Sequence, residues 1–79
     1  MKVQVYMTSD CPKCYAFGKN LKAAIRELSL DEKIELIDLE QAMKMNVTSC
    51  PAIIINGEIK SMGILLSVEE LKKMLKENI

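Results

Sequence analysis

The feature that most constrains the fold of this 79-residue chain is a Cys-x-x-Cys pair placed where a strand pattern gives way to a helix pattern. Residues 2–7 alternate polar and apolar side chains, as a half-buried strand does. From Cys14 to Leu28, apolar side chains recur at the spacing of one helix face. The sequence therefore predicts a strand over residues 2–7, a helix over residues 12–29, and Cys11 at the N-terminus of that helix.

This position favours thiolate chemistry at Cys11. The free backbone N–H groups and the positive dipole end of a helix N-terminus stabilise an anion, and the thiolate is the reactive form of cysteine. Pro12 occupies the first helical position, where no N–H is needed, and Lys13 adds a nearby positive charge, whereas the carboxylate of Asp10 opposes a thiolate. We expect the pKa of Cys11 to lie below the free value of about 8.5. Cys14, one turn along and more buried, is predicted to resolve the mixed disulfide that Cys11 forms.

The rest of the chain divides into short elements that predict an α/β fold. Lys33–Leu39 is apolar enough to be a central strand, Asn56-Gly57 is a strong hairpin signal, and Ser67 opens a capping box. The predicted elements after the first helix are a strand at Lys33–Leu39, a helix at Glu40–Asn46, strands at Ala52–Ile55 and Glu58–Met62, and a last helix after Ser67. The order β-α-β-α-β-β-α predicts a mixed four-stranded sheet with helices on both faces, in one domain over residues 1–79.

The composition of the chain argues against several classes of function. Eleven basic and eleven acidic side chains are interspersed, so no basic stripe is available to bind nucleic acid. The longest apolar runs are too short to span a bilayer, and the N-terminus opens directly into a strand pattern without an apolar signal region. We therefore expect a cytoplasmic protein without a membrane partner, and in that compartment a disulfide is more often catalytic than structural. The chain has no histidine, which excludes a Ser-His-Asp triad.

With these motifs in place, nearly the whole chain resembles the thioredoxin superfamily, especially its small, single-domain archaeal and bacterial branch. In that family a cis-proline starts the third strand and lies beside the active disulfide, and Pro51 matches that position. The resemblance implies a thiol–disulfide oxidoreductase that acts on protein disulfides without a bound cofactor, as a monomer. It also implies that Cys50, Pro51, Pro12 and Lys13 contact the substrate chain.

The departures from the family pattern bear on the electron donor and on the cysteine chemistry. Asp10 stands where thioredoxins carry Trp, and Val5 stands where they carry a buried Asp. Residues 62–66 contain no acid where glutaredoxins, which are similar at the Cys-Pro-x-Cys motif, bind glutathione. A donor of the thioredoxin-reductase type is therefore expected rather than glutathione.

Cys50 is the least expected residue, because the family usually places Thr, Val or Ile before the cis-proline. If Pro51 is cis, Cys50 should lie close to Cys11 and form a three-sulfur cluster with Cys14. Three interpretations stay open: a buried small hydrophobe, an auxiliary thiol that forms a second disulfide, and a thiolate metal site. An iron–sulfur cluster shared between two chains belongs to the third interpretation. A redox-inactive binding scaffold is the remaining alternative.

Overall fold

The computed structural model describes residues 1–78, which form one mixed sheet with three helices. The elements are β1 (Val3–Tyr6), α1 (Pro12–Glu27), β2 (Ile34–Leu36), α2 (Leu39–Lys44), β3 (Ala52–Ile55), β4 (Glu58–Met62) and α3 (Val68–Glu77). The strand order is β2-β1-β3-β4; β1 pairs with β2 in parallel, and β3 is antiparallel to both β1 and β4. The predicted element order and mixed four-stranded sheet are confirmed. Ile79, the last residue of the predicted domain, lies outside the described residues.

The expectation that Lys33–Leu39 forms a central strand is wrong. The strand spans only Ile34–Leu36 and lies at the edge of the sheet, where the Leu36 side chain is 65% exposed. The apolar run in the sequence continues beyond the strand because Ile37, which follows β2, is buried against Ala42 of α2. The central neighbour of β1 is instead β3, in which all four residues are buried.

Helices cover both faces of the sheet, as predicted. Because side chains alternate along a strand, Ile53 and Ile55 of β3 face one way, and Ala52 and Ile54 face the other. The larger core lies between the sheet, α1 and α3, and its central side chain is Phe17, which is fully buried. The smaller core lies under α2. This arrangement anchors α1 with its N-terminus at the end of β1, where the cysteine pair lies.

The turn between β3 and β4 lies at the start of β1, at the end of the sheet opposite the cysteine pair. The hairpin between β3 and β4 has positive φ at Asn56 (54°) and Gly57 (81°), as an Asn-Gly turn requires.

None of the helices found over residues 1–78 has the length and apolar character needed to cross a membrane.

Candidate active site

Three cysteine side chains come together where β1, α1 and β3 meet. Cys11 directly precedes α1, Cys14 lies in its first turn, and Cys50 lies just before β3. All three are free thiols, and their Sγ atoms lie within 4.8 Å of one another. The peptide bond between Cys50 and Pro51 is cis. The structure thus has Cys50 beside the Cys-x-x-Cys pair, as expected from the sequence for a cis Pro51.

The Cys11 sulfur is partly exposed and lies in an environment that favours its anion. Cys11 is the N-cap of α1, with extended backbone (φ −96°, ψ 111°), and no side chain caps the helix. The pKa of Cys11 is lowered, and the largest cause is a hydrogen bond from the Cys14 thiol. The Cys50 thiol and the backbone N–H groups of Lys13 and Cys14 lower this pKa further, whereas partial burial raises it. The protonated thiol donates to the Cys50 carbonyl oxygen at 3.5 Å. The lowered pKa agrees with the expectation from the sequence, but its largest cause is the second cysteine.

The Cys14 sulfur lies in the opposite environment. Its residue is only 5% exposed, on the buried face of α1. Burial raises the pKa of Cys14 to about 12, with further contributions from its hydrogen bond to Cys11 and from the charges of Cys11 and Cys50. A hydrogen bond with the backbone of Thr8 acts in the other direction. Cys11 therefore ionises before Cys14, and the thiol of Cys14 remains available as a hydrogen-bond donor.

Thr8, in the loop between β1 and α1, is a site residue that the sequence analysis missed. Its hydroxyl oxygen lies 3.5 Å from the Cys50 sulfur, and its carbonyl oxygen accepts from the Cys11 N–H at 3.3 Å. The first contact joins residues 42 positions apart, and no local pattern in the sequence marks it. Thr8 therefore links the loop that carries Cys11 to the segment that carries Cys50.

The residues predicted to contact substrate lie at the start of α1 and directly before β3. Pro12 and Lys13 are exposed at the start of α1, while Pro51 is buried. The Lys13 ammonium donates to the carbonyl oxygen of Gly63 at 3.2 Å, and the N–H of Gly63 donates to the Pro51 carbonyl oxygen at 2.8 Å. The Lys13 side chain thus connects α1 to the turn after β4. Lys13 lowers the pKa of Cys11 through its backbone N–H and not through this side chain.

Exposed apolar side chains surround this site. Tyr15 is 77% exposed next to Cys14, and Ile64 and Leu65 are exposed directly after Gly63. Gly63 has φ +74°, and a Cβ there would lie 3.3 Å from the Ser49 Cβ, so a glycine suits this turn. A shallow depression of about 340 Å³ is lined by Met7, Thr8, Ser9, Cys11, Cys14 and Tyr15. Cys11 therefore borders an open depression together with the exposed Tyr15 side chain.

The fold and this paired-cysteine site define a dithiol protein built on a helix N-terminus. The family model described as a thioredoxin domain matches residues 1–76, and the chain belongs to the thioredoxin family. The resemblance found in the sequence is thereby confirmed.

Two relatives and one solved structure are similar to this chain over nearly its whole length. The chain is 38% identical over 76 residues to a thioredoxin of Methanothermobacter thermautotrophicus, covering 95% of this chain and 97% of that protein. It is 26% identical over 82 residues to a thioredoxin of Methanocaldococcus jannaschii, covering 95% and 96%. A solved structure described as "Structure of a malarial protein" superposes with a TM-score of 0.73 at 18% identity, covering 98% of this chain and 94% of that one. This last likeness shows the fold.

Proposed function

We propose that this protein is a thiol–disulfide oxidoreductase that reduces protein disulfides through Cys11 and Cys14. Membership in the thioredoxin family supports this class of activity in general. The observation that carries the assignment of roles is the contrast between the two sulfurs: Cys11 is partly exposed with a lowered pKa, whereas Cys14 is buried with a raised one. A thiolate at the surface attacks, and a protected thiol one turn away completes the exchange.

The proposed reaction proceeds in two exchange steps. The Cys11 thiolate attacks one sulfur of the substrate disulfide, forms a mixed disulfide and releases the other sulfur as a thiolate. Cys14 then loses its proton and attacks the Cys11 sulfur, which releases the second substrate thiolate and leaves a Cys11–Cys14 disulfide. Two electrons pass from the protein to the substrate, and no bound cofactor is needed. The loss of the Cys11 negative charge in the first step removes one cause of the raised pKa of Cys14.

The substrate is proposed to lie as an extended chain between the start of α1 and the Cys50–Pro51 segment. Pro12 and Lys13 would contact one side, and the backbone of Cys50 the other. The exposed side chains of Tyr15 and Ile64 offer apolar contacts on either side of the sulfur.

The oxidised form is proposed to be reduced by a donor of the thioredoxin-reductase type. The turn after β4 runs through Gly63, Ile64 and Leu65 without a carboxylate, so it lacks the acid that the glutaredoxin pattern places there to hold glutathione. Both reacting cysteines come from one helix of one chain, and we expect a monomer to be active. We propose the cytoplasm as the setting, since its reducing conditions return such dithiols to the reduced form.

The test is insulin reduction by dithiothreitol in the presence of a metal chelator, followed by trapping of the intermediate. Wild-type protein should accelerate insulin precipitation, and Cys14→Ser should accumulate a mixed disulfide with substrate at Cys11, located by peptide mass spectrometry. The matched control is Cys50→Ser, which should retain most of the activity. Mixed disulfides found only at Cys50 would show that the roles are assigned wrongly, and no acceleration by the wild type would refute the activity.

A further inference from the structure

Cys50 gives the site a third sulfur that the proposed exchange does not use. Its Sγ atom lies within 4.8 Å of both other sulfurs, so the three form one compact triangle. Zn–S bonds of about 2.3 Å in a tetrahedral site place neighbouring sulfurs roughly 3.8 Å apart. The three thiols therefore need to move by about an ångström or less to share one ion, and side-chain rotation within the site supplies movements of this size.

The ligand set selects the kind of ion. All three ligands are sulfur, the chain contains no histidine, and over residues 1–78 no carboxylate joins the triangle. Soft thiolate ligands favour Cu⁺ and Zn²⁺ among biological metals, whereas hard ions such as Mg²⁺ and Ca²⁺ need oxygen ligands. Cys11 and Cys50 are only partly buried, so a water molecule can complete the coordination of an ion that needs a fourth ligand.

The surroundings of the sulfurs fit a bound cation. The Thr8 hydroxyl is within hydrogen-bond distance of the Cys50 sulfur at 3.5 Å, and it can donate to a thiolate there. Cys11 stands at the N-terminus of α1, with no side chain capping the helix, where the positive end of the helix dipole favours a thiolate ligand. Hydrogen bonds to metal ligands of this kind orient them and contribute to affinity.

We propose that the reduced protein binds one thiophilic d¹⁰ ion, Cu⁺ or Zn²⁺, through Cys11, Cys14 and Cys50. Binding deprotonates the three thiols and releases their protons. The proposal extends to release of the ion, a step that rests on the proposed oxidoreductase function. The Cys11 and Cys14 thiolates give two electrons to a substrate disulfide and join in a disulfide of their own. The substrate sulfurs leave as two thiolates, which take up protons from water. Cys50 alone then remains as a ligand, so the ion dissociates.

Metal binding is tested on reduced, anaerobic protein by competition with colorimetric chelators, one for Zn²⁺ and one for Cu⁺. The expected result is one ion per chain in at least one arm. Cys50→Ser and Cys50→Thr should each lower the affinity by at least about 100-fold, more than loss of a hydrogen bond to a ligand costs. Thr48→Ala, an exposed change two positions away, is the matched control and should bind as the wild type does.

The outcomes separate this proposal from the oxidoreductase assignment. If the wild type reduces insulin but binds neither ion, or if both Cys50 variants bind as tightly as the wild type, the three-sulfur site is refuted. A stoichiometry of one ion per two chains would also refute it, in favour of a shared site. If the ion binds with the expected Cys50 dependence but insulin is not reduced, the metal site stands and the proposed activity fails. With both present, excess oxidised substrate should release the ion; retention would refute the coupling.

Discussion

The helices α1 and α3 lie side by side on the same face of the sheet, yet their N-termini are built in opposite ways. In α3 the Ser67 hydroxyl accepts from the Glu70 N–H at 3.1 Å, and the Glu70 carboxylate accepts from the Ser67 N–H at 3.0 Å. In α1 the N-cap is Cys11, which makes no side-chain cap, and no acid lies in the first turn. The comparison shows that α3 caps its first N–H groups with side chains, whereas in α1 the backbone N–H groups of Lys13 and Cys14 help to lower the pKa of Cys11.

The largest effect is expected from giving α1 the cap that α3 has. Cys11→Ser should reduce insulin turnover to the background rate, because a serine hydroxyl does not replace the thiolate as a nucleophile. The same change should leave the free energy of unfolding unchanged or raise it by up to about 1 kcal/mol, because serine is a good N-cap residue. Insulin reduction and urea unfolding measure the two effects. Retained turnover, or a clear loss of stability, would contradict the contrast between the two helices.

The second prediction concerns the hydrogen bond that the Cys14 thiol donates to the Cys11 sulfur. Cys14→Ala removes this donor, the largest cause of the lowered pKa of Cys11, whereas Cys14→Ser keeps a hydroxyl donor at the same position. The thiolate is the form that alkylates, so its fraction rises as the pH rises through the pKa. We therefore expect alkylation of Cys11 to reach half its maximum at a higher pH in the Ala variant than in the Ser variant. Peptide mass spectrometry of a pH series checks this, and identical profiles would show that the backbone N–H groups dominate.

The features that could be predicted from the sequence are those set by neighbours along the chain. The capping box at Ser67 and the place of Cys11 at a helix start depend on spacings of a few residues. The edge position of β2 could not be predicted, because strand order depends on pairing between distant segments. The same reason hid the Thr8–Cys50 contact and the Lys13–Gly63 hydrogen bond, which join residues 42 and 50 positions apart. Local spacing in the sequence thus marks candidate reactive groups, and the tertiary fold determines what surrounds them.

The third prediction removes the cap of α3. Ser67→Ala should lower the free energy of unfolding by about 1 kcal/mol, because the Glu70 N–H loses its side-chain acceptor. Insulin reduction should not change, since the depression at Cys11 is lined by residues from 7–15 and not by α3. The matched control is Ser9→Ala, an exposed serine near α1 whose side chain caps no helix; it should alter stability by less than about 0.5 kcal/mol. Equal losses in the two variants would show that the capping box contributes nothing specific.

The smallest expected effect comes from a second difference between the two helices, since α1 contains Gly18 and α3 contains no glycine. A Cβ at Gly18 would lie 3.6 Å from the Met7 sulfur and 3.7 Å from its terminal carbon, which is ordinary van der Waals contact. Gly18→Ala should therefore raise the free energy of unfolding by about 0.5–1 kcal/mol through helix propensity alone, and Ala23→Gly in the same helix should lower it by a similar amount. Urea unfolding of both variants, with insulin reduction as the activity readout, gives the comparison. A stabilised and fully active Gly18→Ala variant would show that the reactivity at α1 depends on its N-terminus and not on a weakened helix. Met7 also lines the depression beside Cys11. A loss of activity in this variant would therefore mean that the Met7 side chain must stay free to move.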